Sequence, residues 1–206
     1  VAISDPNIIY VGSGEGLHRP DLSVGNGLYK STDAGKTWTH LGLREGQQIA
    51  QIAVDPRDSN HLLVAVAGHP YGPNEERGIF CSTDGGKTFA RTLARDENTG
   101  GNDVQIDSSN PQIVYASLWE AREGPWENGE WNGTGGGIFK SSDGGKSWKE
   151  LHNGLPSDIV QAQLAIAPSD PKKLFASVAI SKSLKLYRSD DAGERWALAT
   201  EDPRPA

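Results

Sequence analysis

Ser31-Thr32-Asp33-Ala34-Gly35-Lys36-Thr37-Trp38 recurs three more times in this chain. The copies are Ser82-Thr83-Asp84-Gly85-Gly86-Lys87-Thr88-Phe89, Ser141-Ser142-Asp143-Gly144-Gly145-Lys146-Ser147-Trp148 and Ser189-Asp190-Asp191-Ala192-Gly193-Glu194-Arg195-Trp196. The shared pattern is S-x-D-x-G-x-x-[WF], and successive acids lie 51, 59 and 48 residues apart. A period of about fifty residues is that of a solenoid or a propeller, with one supersecondary unit per repeat.

Each copy follows an aliphatic-aromatic pair: Leu28-Tyr29, Ile79-Phe80, Ile138-Phe139 and Leu186-Tyr187. That is a strand entering a turn. The acid can accept hydrogen bonds from N–H groups of its own turn, and the glycine supplies a positive φ at little steric cost. The closing Trp38, Phe89, Trp148 or Trp196 opens the return strand and is expected to pack back over the hairpin. Asp33, Asp84, Asp143 and Asp191 therefore read as structural staples. Four near-identical acids at equivalent places do not make a catalytic set, since one site needs only one.

The four copies resemble the Asp-box, or BNR, repeat, and the resemblance covers nearly the whole chain. Such repeats occur in sialidases, in xyloglucanase-type glycosidases, in the sortilin-type receptor domain and in bacterial secreted proteins labelled glycosyl hydrolases. All of these are β-propellers. The stretch Gly72-Pro73-Asn74-Glu75-Glu76-Arg77-Gly78 before the second copy looks most like the bacterial sortilin-like group. The resemblance implies an all-β propeller of four-stranded antiparallel blades. It says less about function, because the fold hosts unrelated activities.

The rest of the chain fits four blades, at approximately 1–42, 43–95, 96–153 and 154–202, forming one partial propeller over 1–206. Each is expected to run inner strand, Asp/Asn-Pro turn, second strand, loop and box hairpin, the loop being long in the first three blades and short in the fourth, around Ser181 to Leu184. The first holds only the tail of an inner strand, Val1 to Ser4. The absence of Met and the start at Val1 imply a processed or truncated piece of a longer protein. The expected partners are the remaining blades of a parent ring or another copy of the chain, because an open arc leaves two blade faces uncovered.

Composition narrows the class. The 206 residues carry a net charge of −7 and no basic stripe, which disfavours nucleic-acid binding. No apolar run is long enough to span a bilayer. The single cysteine, Cys81, permits no internal disulfide. It stands where Lys30, Lys140 and Arg188 stand in the other copies, and that slot is expected on the partly exposed strand face. The five histidines lack metal-ligand spacing. No metal or other cofactor is expected. Asp96-x-Asn98-x-Gly100-Gly101 only faintly echoes a calcium loop and has no flanking helices.

If the inner strand runs downward, the box turns line the lower rim and the second-to-third strand loops line the upper one. Long loops on a rigid scaffold are where function tends to sit. Their contents nominate His69, Tyr71, Arg77, Trp119, Arg122, Trp126 and Trp131 as binding residues. Aromatic faces suit sugar rings or apolar peptide side chains. Trp131 is expected to be the most exposed, and Trp119 and Trp126 also suit packing of the loop on its own blade. Glu15, Glu75, Glu76 and Glu120 are weak catalytic candidates. A glycosidase needs two carboxyls, roughly 5–5.5 Å apart if retaining and 6.5–9.5 Å if inverting. Arg19, Arg77, Arg122 and Tyr71 form no sialidase arginine signature.

Two functions follow as expectations. The first is a non-catalytic binding or scaffold portion of a larger secreted, periplasmic or cell-surface propeller, holding peptide, protein or glycan on its upper loops. The alternative is a fragment of a xyloglucanase- or sialidase-like glycoside hydrolase.

Overall fold

A computed structural model describes residues 1–16, 22–69, 71–121, 133–181 and 183–200. The fold is all-β, with four antiparallel sheets and no helix among the described residues. The first sheet has three strands, β1 (Ile9–Gly12), β2 (Leu28–Ser31) and β3 (Thr39–Gly42). The second is β4 (Ile49–Val54), β5 (Leu62–Val66), β6 (Gly78–Ser82) and β7 (Ala90–Leu93). The third is β8 (Thr99–Ile106), β9 (Val114–Glu120), β10 (Gly137–Ser141) and β11 (Lys149–Glu150). The fourth is β12 (Gln161–Ile166), β13 (Leu174–Ile180), β14 (Ser183–Ser189) and β15 (Ala197–Leu198).

Every sheet is a meander, because strands that are adjacent in sequence pair antiparallel. The first lacks an inner strand: Ala2 N–H donates to the Ile8 carbonyl as Asp55 does to His61, so Ala2 already lies past that strand's end. Trp119 and Glu120, expected in the third long loop, instead extend β9, where they pair with Gly100 and Thr99.

The box hairpins form as the sequence requires. In each, the Ser hydroxyl bonds the Asp, at 2.7–2.9 Å, and accepts the N–H of the box glycine, at 2.8–2.9 Å. Asp33, Asp84, Asp143 and Asp191 each accept the N–H four residues on. The hydroxyls of Thr37, Thr88 and Ser147 add a second bond, which Arg195 cannot supply. These bonds hold Asp33 and Asp84 down to about 2, with the Thr37 hydroxyl the largest cause for Asp33 and the Thr88 N–H for Asp84. Asp143 and Asp191 are also lowered, mainly by the Ser147 hydroxyl and the Arg195 N–H.

The core lies between sheets, in three seams. Tyr10, Leu28, Ile49 and Val64 fill the first; Leu63, Val104, Ala116 and Leu118 the second; Tyr115, Ile138, Leu174 and Val178 the third. The box aromatics of the later blades enter these seams rather than covering their own hairpins. Phe89 packs in the first, Trp148 in the second and Trp196 in the third. Trp38 folds over its own turn, with its Nε1–H on the Gly35 carbonyl.

A polar strut crosses each seam on the lower rim. Lys30 donates to the Gly85 carbonyl (3.0 Å) and Lys140 to the Ala192 carbonyl (2.7 Å). Tyr115 donates to the same Ala192 carbonyl, and Tyr10 to that of Ser59. Cys81 occupies the lysine slot of the second blade and is buried, not partly exposed, because the third blade covers that face. His61 makes the strut there, with Nε2 on the Gly144 carbonyl.

The second and third sheets are buried on both faces. The fourth is buried on one, and β13 alternates buried and open positions along its length. The first and fourth sheets share no seam among the described residues, so the ring is open.

Candidate functional site

The box turns bond the inner turns of their own blades at the lower rim: Ala34 to Asn7, Gly85 to Asn60, Gly144 to Gln112 and Ala192 to Lys172. The long loops therefore share the upper rim with the blade-to-blade connections.

Arg77 is the hub of that rim. It immediately precedes β6 and is fully buried. Nη1 donates to the carbonyls of Ala67 (2.8 Å), Asn98 (3.3 Å) and Ala121 (3.1 Å). Nη2 donates to those of His69 (2.6 Å) and Gly72 (3.1 Å). A planar fork of fixed donors suits this work, and a lysine would satisfy fewer carbonyls. The geometry sets Arg77 beneath the rim as a clamp and gives a surface ligand no access to it.

Three of the four candidate acids are tethers in the same sense. Glu15 accepts the Ser23 N–H (3.1 Å), Glu76 the Gly46 N–H (2.7 Å) and Glu120 the Gly135 N–H (2.9 Å). Glu75 is exposed. Trp119 is buried against Ala121 and Val160, so it joins the third blade to the connection entering the fourth. Tyr71 is exposed on the rim. Arg122, Trp126 and Trp131 lie outside the described residues, as do Arg19 and Pro70.

Beside the clamp, three buried polar atoms have no hydrogen-bond partner among the described residues: His69 Nδ1, Asn98 Oδ1 and Thr99 Oγ1. Such atoms are costly to leave unpaired. His69 and Asn98 flank Arg77 through their carbonyls, and Thr99 follows directly.

Further out on the same rim is a cleft of about 260 Å³. Arg95, Thr134, Glu150, His152 and Ser157 supply its polar wall, and Leu151, Pro156 and Ile159 its apolar one. Arg95 stacks over the Phe139 ring, 5.5 Å from its centroid, and forms a direct ion pair with Glu150. His152 Nε2 lies 3.9 Å from the other Glu150 oxygen. A carboxylate between two bases, facing apolar carbon, is suited to a molecule that presents hydroxyls on one side and C–H on the other.

Arg95, Glu150 and His152 lie outside the second-to-third strand loops, to which the sequence pattern points. The signal was present: each stands where an outermost strand hands over to the next blade, on the same rim. Asp103, also missed, bridges two inner strands and accepts the Leu164 N–H at 2.7 Å. Burial pushes its carboxyl above the ordinary range. No cluster of three or more His, Cys, Asp or Glu among the described residues is arranged for a metal ion.

Two family models match, both described as BNR/Asp-box repeats, at residues 29–40 and 138–151. The chain carries BNR/Asp-box repeats on a propeller fold. It is 26% identical to a xyloglucanase of Paenibacillus sp over 85% of its length, and 28% identical to a sialidase of Bacteroides fragilis over 84%. It spans only 15% of the first protein and 38% of the second. Its fold matches the crystal structure of an ancestral GH74 enzyme with a TM-score of 0.69 at 20% identity, over 98% of this chain and 24% of that one. In this Asp-box propeller the clamp, the orphaned polar atoms and the cleft all face the side away from the boxes.

Proposed function

We propose that this propeller is a segment of a glycoside hydrolase and that its upper rim supplies a saccharide-binding surface. The observation that carries this reading is the cleft formed by Arg95, Glu150 and His152, with its apolar wall, on the rim away from the boxes. The names of the relatives, xyloglucanase and sialidase, support a carbohydrate as the ligand. Glu150 and Arg95 would bond paired ring hydroxyls, while Leu151 and Ile159 meet the C–H face. Glu15, Glu76 and Glu120 hold loops, which leaves bond cleavage to carboxylates elsewhere in the longer protein. A polymeric glycan substrate places the protein outside the cytoplasm: secreted, periplasmic or at the cell surface.

Titration of the chain with xyloglucan oligosaccharides and with sialyllactose, read by NMR shift perturbation, tests this. Saturable shifts at residues lining the cleft, abolished in Glu150→Gln and Arg95→Ala, are expected for one of the two sugars. Shifts with neither, or shifts untouched by both substitutions, would sink the proposal.

A further inference from the structure

The cleft walled by Arg95, Glu150 and His152 is small. Its volume of about 260 Å³ lies below the roughly 300–1,000 Å³ of sites for drug-sized ligands. A disaccharide already has that size, whereas a single sugar ring does not.

Two glycines on the floor keep the cleft narrow. A Cβ at Gly136 would come within 2.5 Å of the Ile159 carbonyl oxygen and 2.6 Å of that of Val160. One at Gly137 would come within 2.7 Å of Glu150 Oε1, 3.1 Å of the Phe139 ring and 3.2 Å of Arg95 Nη2. The chain entering β10 thus lies directly against both walls. Arg95 follows β7 and Ile159 precedes β12, so consecutive blades of this chain enclose the cleft.

The charges of the cleft already face one another. Arg95 forms a direct ion pair with Glu150, lies over the Phe139 ring and reaches the Gly136 carbonyl at 3.5 Å. His152 faces the other oxygen of the same carboxylate. An acidic sugar would have to part Arg95 from Glu150 or set a second carboxylate beside the first, and like charges brought together are costly. A sugar hydroxyl requires neither, because it can donate to Glu150 and accept from Arg95.

Resting on the saccharide reading above, we propose that the cleft recognises one uncharged sugar unit, at a chain end or a branch, and not a stretch of polymer backbone. Arg95 and Glu150 select hydroxyls over a carboxylate, and the closeness of the floor at Gly137 limits the ligand to one ring. A ring inside a chain carries neighbours on both sides, for which the cleft has no room.

NMR shift titrations of the chain with methyl glucoside, methyl xyloside, methyl galactoside, a xyloglucan oligosaccharide and methyl sialoside test this. At least one neutral methyl glycoside should bind within about threefold of the oligosaccharide, and the sialoside about tenfold more weakly or worse. Gly137→Ala should abolish the neutral-sugar shifts by pushing Glu150 off Arg95. Its closest clash is with the end of a flexible side chain, so the fold should persist, as circular dichroism will verify. Glu150→Gln, which leaves Arg95 without its acid, should reverse the preference toward the sialoside. An oligosaccharide bound about tenfold or more tightly than every methyl glycoside would overturn the proposal and leave the saccharide reading standing. So would a sialoside that binds the unaltered chain as well as the neutral sugars do. Binding of no sugar at all would overturn both.

Discussion

His61 and Gly144 are 83 residues apart in sequence, yet His61 Nε2 lies 2.9 Å from the Gly144 carbonyl, across the seam between the second and third blades. The other ring nitrogen, Nδ1, lies 3.2 Å from Asp55 Oδ2. Both partners are acceptors only, so both nitrogens must carry hydrogen and the ring is an imidazolium. The Cys81 sulfur, Asp55 and Gly144 together hold it up to about 9, against the pull of burial.

The strut makes stability depend on alkaline pH. The folded value of about 9 exceeds the ordinary 6.5, so the contribution is complete below about 6.5 and lost as pH rises through about 9. Thermal melts between pH 7 and pH 10 should show a falling midpoint. His61→Gln should lower the midpoint at pH 7 and flatten that slope. A wild-type slope unchanged by the substitution would refute the strut.

The box acids act at the other end of the scale. Asp33 and Asp84 sit near 2, below the ordinary 3.8, so their contribution is present above about 3.8 and lost as pH falls through about 2. Carboxyl resonances followed by NMR should show both ionised at pH 3. Asp84→Ala should lower the melting temperature by a few degrees and leave saccharide binding at the upper rim intact. Loss of binding with full stability would contradict the staple role.

Gly35 and Gly145 separate backbone strain from seam packing. Their φ values are +88° and +87°, so alanine at either should carry a similar left-handed penalty of about 1–2 kcal/mol. A methyl at Gly35 would meet Trp38 at an ordinary 3.6 Å, whereas at Gly145 it would come within 2.2 Å of the Leu63 side chain. Gly145→Ala should therefore be the more destabilising by about 1–3 kcal/mol, the usual range for overpacking. Urea denaturation of the two variants gives the comparison, and equal midpoint shifts would show that the seam can yield.

Arg77→Met should be among the most damaging changes on the upper rim. It removes the partner of five carbonyls from three segments of chain. Breaking a buried charged network in this way costs about 3–5 kcal/mol. Chemical denaturation should show that loss. A shift of under about 1 kcal/mol would mean that the carbonyls find other donors.

Hairpins were legible in the sequence because their bonds close within four residues. Ser82, Asp84, Gly86 and Thr88 need only one another. The Asp/Asn-Pro turns and alternating strands were legible for the same reason, and with them the four-blade count and the weak first blade. Trp119 was harder: an aromatic at a strand end reads equally well as loop or strand, and only pairing with Gly100 settles it. The tethers made by the acids were not legible. Glu15, Glu76 and Glu120 look like solvated loop charge until the N–H groups they accept are seen.

What the sequence determined by itself was every local unit: four box hairpins, their strands, and two rims, one of staples and one of long loops. The tertiary structure decided what faces what. Blade-on-blade stacking buries Cys81 in place of a lysine, recruits His61 to bridge that seam, and closes a shell of carbonyls around Arg77. It also gathers Arg95, Thr134, Glu150 and Ser157 into one cleft. The physical reason is range: turn bonds join near neighbours in sequence, whereas seams and clefts join residues whose proximity exists only once the blades pack.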